Sequence, residues 1–365
     1  MAMTDIQALE SDTCPACGAK TVWNPARKAL VCPYCGTEAP AELDSNTGKI
    51  QEIPLAAALR EIPEAERGWQ ADKKSVQCRS CKAVMVFDAE KVGQNCEFCG
   101  SPALVPYEEI KSPLRPQSLL PFRISETQVR EAIRTWCASK WFAPGRLKNR
   151  ALVDTVRGVY IPYWTFDAHA DCNWRAEAGH YYYVTEQYRE GGQTKTRQVR
   201  HVRWEPASGA FQHFFDDEPV PGTRGVHPRL LRGVEPFPTK DLVPYDKSYL
   251  AGFVVEHYQV VLIDAARQAR ERMEHRLREM CIRQIPGDTY RNLSVEARYA
   301  GETFKHILAP VWLLTYNYGA KAFQVVANGY TGKIDGEYPK SWFKILLVAL
   351  LIVVAAMVLA LATRQ

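Results

Sequence analysis

Eight of the eleven cysteines stand in four Cys-x-x-Cys pairs, and the spacing of those pairs repeats. Cys14 and Cys17 precede Cys32 and Cys35; Cys78 and Cys81 precede Cys96 and Cys99. Fourteen residues separate the pairs in each set, and the second set begins 64 residues after the first, which makes an internal repeat of one module. Two such pairs at this spacing match a zinc ribbon, in which four thiolates hold Zn2+ tetrahedrally. Short apolar stretches at 21–23, 29–31 and 83–87 suit the small hairpins that a ribbon closes. The expected cofactors are therefore two Zn2+. Both are structural, because four sulfurs leave no position for an activated water. A redox pair would sit singly beside a βαβ pattern, not four times in matched sets.

The opening MAMTDIQALESD has neither a basic start nor an apolar run, so a secreted disulfide framework is not expected. Thiolate ligands in a reducing compartment fit better. At the other end, residues 345–362 are eighteen Ile, Leu, Val, Ala and Met residues without a charge. As a helix they would span about 27 Å, close to the ~30 Å core of a bilayer. Trp342 and Phe343 stand where interfacial aromatics belong, with Lys340 and Lys344 able to reach the headgroups. The expectation is one C-terminal transmembrane helix, a tail anchor at the cytoplasmic membrane with the N-terminal body in the cytoplasm.

Between these ends the chain divides into zinc ribbon 1 (1–40), an acidic linker with a short helix (41–76), zinc ribbon 2 (77–112), an α+β domain (113–338) and the anchor (339–365). Residues 38–66 hold seven acidic and two basic side chains, as a solvated linker does. In the fourth segment Ser125 with Gln128 reads as a capping box before a helix carrying Val129, Ile133, Trp136 and Cys137. Residues 158–171 alternate like a strand. Residues 181–189, a Gly191-Gly192 turn and residues 194–204 read as a long hairpin. A second helix is expected over 264–284, with Ala266, Met273, Leu277 and Met280 on one face. Strands 311–318 and 321–327 follow, with an Asn328-Gly329 turn. Two segments share a Pro-x-Trp centre, Pro162-Tyr163-Trp164 and Pro310-Val311-Trp312, the trace a second duplication would leave. The fold class expected is two small zinc ribbons plus an α+β domain with long antiparallel hairpins and one transmembrane helix.

Alternation places Lys195, Arg197, Val199, His201 and Arg203 on one face of a strand, a basic stripe about 26 Å long at ~3.3 Å per residue. With Tyr181, Tyr182, Tyr183, Tyr188 and Trp204 nearby, it is a candidate for polyanion binding, to nucleic acid or anionic headgroups. The competing reading is an edge strand protected by charge. Asp167, His169 and Asp171 share one strand face beside Cys172, as a second metal site or acid–base pair would, though solvent-facing polar residues do the same. Cys137 and Cys281 read as core thiols. The net charge of +5 announces no nucleic-acid binder by itself. Phosphate-loop, zinc-protease, nucleophile-elbow and dinucleotide motifs do not occur, which argues against a motor or a common hydrolase.

The chain resembles a family of bacterial tail-anchored double zinc-ribbon proteins whose genes accompany SPFH-domain and phage-shock-protein-A-like genes. Besides the ribbons, the likeness rests on Trp141-Phe142-Ala143-Pro144, Gly158-Val159-Tyr160-Ile161-Pro162-Tyr163-Trp164 and Leu242-Val243-Pro244-Tyr245-Asp246. It also rests on Thr303-Phe304-Lys305-His306 and Asn328-Gly329-Tyr330-Thr331-Gly332-Lys333. Such chains sometimes carry a primosomal-helicase label, but the motor it implies is missing here. The resemblance implies a membrane-anchored scaffold or adaptor in envelope maintenance or stress, not an enzyme. Its implied partners are SPFH-domain or phage-shock-protein-A-like proteins and membrane lipid. The alternative is a membrane-tethered nucleic-acid-binding protein.

Overall fold

The computed structural model describes residues 13–39, 50, 52–60, 73–79, 83–88, 96, 98, 104–106, 114, 116–144, 156–191, 193–318 and 321–362. The first ribbon is a three-stranded sheet of β1 (Val22–Asn24), β2 (Ala29–Val31) and β3 (Glu38–Ala39). Next come β4 (Ile53–Pro54), α1 (Leu55–Arg60), β5 (Lys73–Cys78), β6 (Val84–Asp88), β7 (Leu104–Pro106), β8 (Ser118–Leu119) and α2 (Glu126–Ser139). The long strands β9 (Arg157–Glu190) and β10 (Gln193–Pro221) lead to α3 (Pro228–Val234), β11 (Val243–Pro244), β12 (Val254–Glu256) and α4 (Leu262–Gln284). The chain closes with β13 (Thr289–Tyr318), β14 (Lys321–Asn328), β15 (Ile334–Gly336) and α5 (Trp342–Ala362).

All strands from β4 onward join one 12-stranded sheet, so the expected α+β domain with separate hairpins is corrected to a large β-rich domain. The reason lies in strand length. The stretch expected at 158–171 and the first arm of the hairpin are a single strand of 34 residues, and β13 runs for 30. β9 is the spine, antiparallel to β10 on one edge and to β13 on the other. The last β9–β13 pair joins Gly179 and Thr289; beyond it β9 and β10 continue alone to the turn at Gly191. That two-stranded arm extends about 36 Å at ~3.3 Å per residue.

The second correction concerns the transmembrane helix. Among the described residues, no helix is long and apolar enough to cross a membrane. This overturns the tail anchor, the single-pass topology and the cytoplasmic-membrane placement. Lys344 does not reach outward as expected: its ammonium donates to the carbonyls of Trp141 at 2.7 Å and Ala143 at 2.8 Å, fastening the foot of α5 to the segment after α2.

The Pro-x-Trp segments are centres of a true structural duplication. Ile161 of β9 lies opposite Ala309 of β13, and the surroundings repeat about that point. β12 runs parallel to β9 at Val159 and Tyr160; β8 runs parallel to β13 at Ile307 and Leu308. The Trp164 indole N–H donates to the Val260 carbonyl at 2.8 Å, and that of Trp312 to the Ile124 carbonyl at 3.0 Å. Tyr258 meets Trp164 edge-on at 5.1 Å and 64°; Phe122 meets Trp312 at 5.0 Å and 64°. The N–H groups of Gly222 and Gly329 each donate to a proline carbonyl, Pro162 or Pro310, at 2.8 Å. The repeating unit is strand, helix, hairpin: β8, α2, β9, β10, then β12, α4, β13, β14. The two copies exchange parts, because β8 with α2 packs on β13 and β14 while β12 with α4 packs on β9 and β10.

Burial follows that exchange. Val129 and Ile133 of α2 cover Phe122, Tyr160, Trp312 and Leu314. The buried face of α4 is Leu262, Ala265, Ala269, Met273, Leu277 and Cys281, turned slightly from the one expected, with Ala266 and Met280 at its margin. Ser125 and Gln128 do form the capping box, each backbone N–H donating to the other's side-chain oxygen.

Candidate metal centre

In the first ribbon the chain makes the same turn twice. The N–H of Cys14 donates to the Ala19 carbonyl at 2.7 Å and that of Gly18 to the Cys14 carbonyl at 2.8 Å. In the second turn Cys32 bonds Thr37 at 2.9 Å and Gly36 bonds Cys32 at 3.0 Å. Gly18 and Gly36 sit at φ +72° and +73°, left-handed backbone that glycine adopts without a Cβ penalty. Each turn points two thiols inward. The Sγ atoms of Cys14, Cys17, Cys32 and Cys35 all lie within 4.8 Å of one another, with Cys14–Cys35 and Cys17–Cys32 each at 3.5 Å. Four sulfurs about 2.3 Å from a central zinc would stand about 3.8 Å apart, so the cluster has the size of a thiolate tetrahedron. It can hold one metal ion.

Electrostatics point the same way. The Thr37 hydroxyl, 3.1 Å from the Cys35 sulfur, leads the interactions that bring that thiol down to about 6. At Cys17 a backbone hydrogen bond from Ala19 favours the thiolate, but the neighbouring Cys32, Cys35 and Cys14 outweigh it and push the thiol up to about 12. Four crowded sulfurs cannot all shed their protons alone. A divalent cation removes that conflict by holding all four as thiolates.

The second set is described in part: Cys78 and Cys96 are buried, whereas Cys81 and Cys99 lie outside the described residues. The Cys78 N–H donates to the Ala83 carbonyl at 2.8 Å, the bond that opens both turns of the first ribbon. Neither ribbon stands apart from the body. β6 pairs with β12 and so with the large sheet, while Phe98 and Ala83 pack among Val159, Ile161 and Tyr163. Trp23 of the first ribbon is buried against Tyr249, and its backbone N–H donates to the Ala251 carbonyl at 3.0 Å.

Next to Cys96, a carboxyl group that sequence reasoning missed is buried completely. Burial pushes Glu256 up to about 8, against hydrogen bonds donated to it by Thr223 at 2.6 Å and Gln259 at 2.7 Å, and Cys96 adds to the rise. No periodicity announced it, because β12 is only three residues long.

The basic stripe lies on the two-stranded arm and is largely neutralised. Arg197 pairs with Glu186 at 3.0 Å and Arg203 with Glu205 at 3.0 Å, while His201 stacks on Tyr182. Lys195 is exposed near the tip. Asp167, His169 and Asp171 do not act together: His169 and Asp171 are exposed, while Asp167 is buried beside Asp216 and Asp217. Lys305 holds the cation's place there, its Nζ 2.7 Å from Asp217, 3.3 Å from Glu52 and 3.9 Å from Asp167. Its motif, residues 303–306, was legible, but its partners come from a bulge in β10 and from the segment before β4. Cys172 faces the opposite side, against Cys281.

No family model matches the chain, and no solved structure matches it. It is similar to the uncharacterized protein YdjG of Bacillus subtilis (strain 168), 25% identical over 336 residues, which are 91% of each chain. Fold and site together define a β-rich protein with a four-cysteine cluster able to hold one metal ion.

Proposed function

We propose that this chain is a zinc-ribbon scaffold that binds two structural Zn2+ ions and recruits partner proteins, with no reaction of its own. The closed set of Cys14, Cys17, Cys32 and Cys35 carries the reading. Four thiol ligands would saturate zinc and leave no open position for substrate, so the product of binding is a rigid surface. The second ion belongs to Cys78, Cys81, Cys96 and Cys99, supported by the matching turn at Cys78. By the resemblance, the partners are SPFH-domain or phage-shock-protein-A-like proteins acting in envelope maintenance or stress. Nucleic-acid binding is the weaker reading, since Arg197 and Arg203 already have carboxylate partners.

The test is co-purification of a tagged SPFH-domain partner with the wild-type chain and with Cys14→Ser/Cys17→Ser. Recruitment that depends on the intact metal centre is the expected result. Capture of nucleic acid in place of the partner, weakening steeply with salt, would reverse the order of the two readings.

A further inference from the structure

The duplication exposes one place where its halves differ. In the second half Gln259 and Thr223 both donate to the buried carboxyl group of Glu256. The positions equivalent to these in the first half are Arg123, Tyr330 and, for Glu256, Leu120. The equivalences follow from the backbone: Gln259 and Val260 donate to the Gly222 carbonyl as Arg123 and Ile124 donate to that of Gly329. In the first half the charged donor Arg123 stands where Gln259 does, Leu120 replaces the carboxyl group, and the Tyr330 hydroxyl is turned to Asp241 instead. Where the second half is packed shut by Ala83 and Phe98, the first half has a cleft of about 330 Å³ between ribbon and body. Its walls include Trp23, Phe122, Tyr249 and Tyr330, and its cations are Lys28 and Arg123. Arg123 lies over the Tyr330 ring at 5.4 Å, and the Tyr330 hydroxyl donates to Asp241 at 2.9 Å. Among the described residues no salt bridge engages Lys28 or Arg123.

The geometry points to this cleft as the docking site for an acidic peptide segment of a partner protein, one Asp or Glu carboxylate bonding Arg123 and Lys28 and a neighbouring apolar side chain entering between the aromatic rings. Apolar walls with a few convergent polar groups are what small recognition sites have, and a guanidinium binds a carboxylate through two parallel N–H donors. The inference rests on the scaffold reading and names what it recognises.

The probes are four fluorescein-labelled hexapeptides of Asp and Glu with one central Phe, Leu, Trp or Tyr, their Asn/Gln counterparts, and phenylacetate. Fluorescence anisotropy should show saturable binding of at least one acidic peptide and at least tenfold weaker binding of its amide counterpart. Arg123→Gln, which installs the residue of the other half, and Lys28→Gln should each weaken binding by about tenfold or more, about one charge-assisted hydrogen bond. Arg200→Gln, an equal charge change on the arm, should leave it unchanged, and unaltered thermal transitions show that the variants fold. The inference is overturned by equal binding of acid and amide peptides, by an equal loss in Arg200→Gln, or by saturable phenylacetate binding without peptide binding. Absence of binding to all four peptides also overturns it. If the SPFH-domain partner is still captured in that last case, the scaffold reading stands and the cleft alone is removed from it.

Discussion

The thiols of Cys172 on β9 and Cys281 on α4 meet 3.7 Å apart, sealed between helix and sheet. Burial raises both, Cys281 to about 12, so each stays a neutral thiol near neutral pH. Since the thiolate is the reactive form, iodoacetamide should label neither cysteine in the native protein and both after unfolding in guanidinium. Mass mapping of native labelled protein that finds modified Cys281 would show the helix opening from the sheet.

Lys305 is the next place where removal should be felt. Truncation to Ala leaves Asp167 and Asp217 facing each other without their cation, and breaking a buried pair costs about 3–5 kcal/mol. Urea unfolding of Lys305→Ala should show a loss of that order. Adding Asp217→Asn to that variant should recover part of it, because one of the stranded charges is then gone.

Glu256 makes stability depend on pH. Its folded value is raised from 4.5 to about 8, so the folded state holds a proton that the unfolded state releases. The sign follows: stability is full below about 4.5 and declines as pH rises to about 8, by at most ~1.4 kcal/mol per pH unit. Glu256→Gln keeps the shape, has no proton to lose, and should flatten that decline. Equal slopes for wild type and variant in thermal melts between pH 5 and 8 would assign the dependence to other groups.

Metal content separates the two ribbons. Protein purified anaerobically should carry two zinc ions per chain, and Cys14→Ser and Cys78→Ser should each lose one. Their stabilities should differ. β5 and β6 belong to the large sheet, so Cys78→Ser should lower the transition of the whole domain, whereas Cys14→Ser should chiefly release the first ribbon from Tyr249 and Ala251. Calorimetry with metal analysis on the same samples decides between them.

The cysteine spacing picked out the cluster of Cys14, Cys17, Cys32 and Cys35 because thiolate chemistry is local: Cys-x-x-Cys followed by glycine is already half a site. The capping box at Ser125 and Gln128 was legible for the same reason. Strand extent was not. The pattern Leu293-x-Val295-x-Ala297-x-Tyr299 alternates as a strand should, yet the strands expected in this region begin only at 311, whereas β13 begins at Thr289. Its partners sit more than a hundred residues away in β9, where no window of sequence reaches them. The apolar C-terminus led to the expectation of a membrane span, yet among the described residues no helix is long and apolar enough to cross one. Glu256 and Lys305 were hidden because a buried charge is recognised by its neighbours, most of them distant in the chain.

The exchange of parts between the two halves sets an order for assembly during synthesis. β8 and α2 leave the ribosome early, yet the strands they rest on, β13 and β14, arrive about 200 residues later. At ~5–20 residues per second that is a wait of roughly 10 to 40 s. The first ribbon waits as well, for its berth includes Ala251. Throughout that interval the sides of Phe122 and Ile133 that meet Trp312 and Leu314 stay uncovered, so the nascent chain is a natural client for a holding chaperone. Zinc captured at Cys14–Cys35 would join the β9–β10 hairpin among the native contacts able to close before the chain is complete.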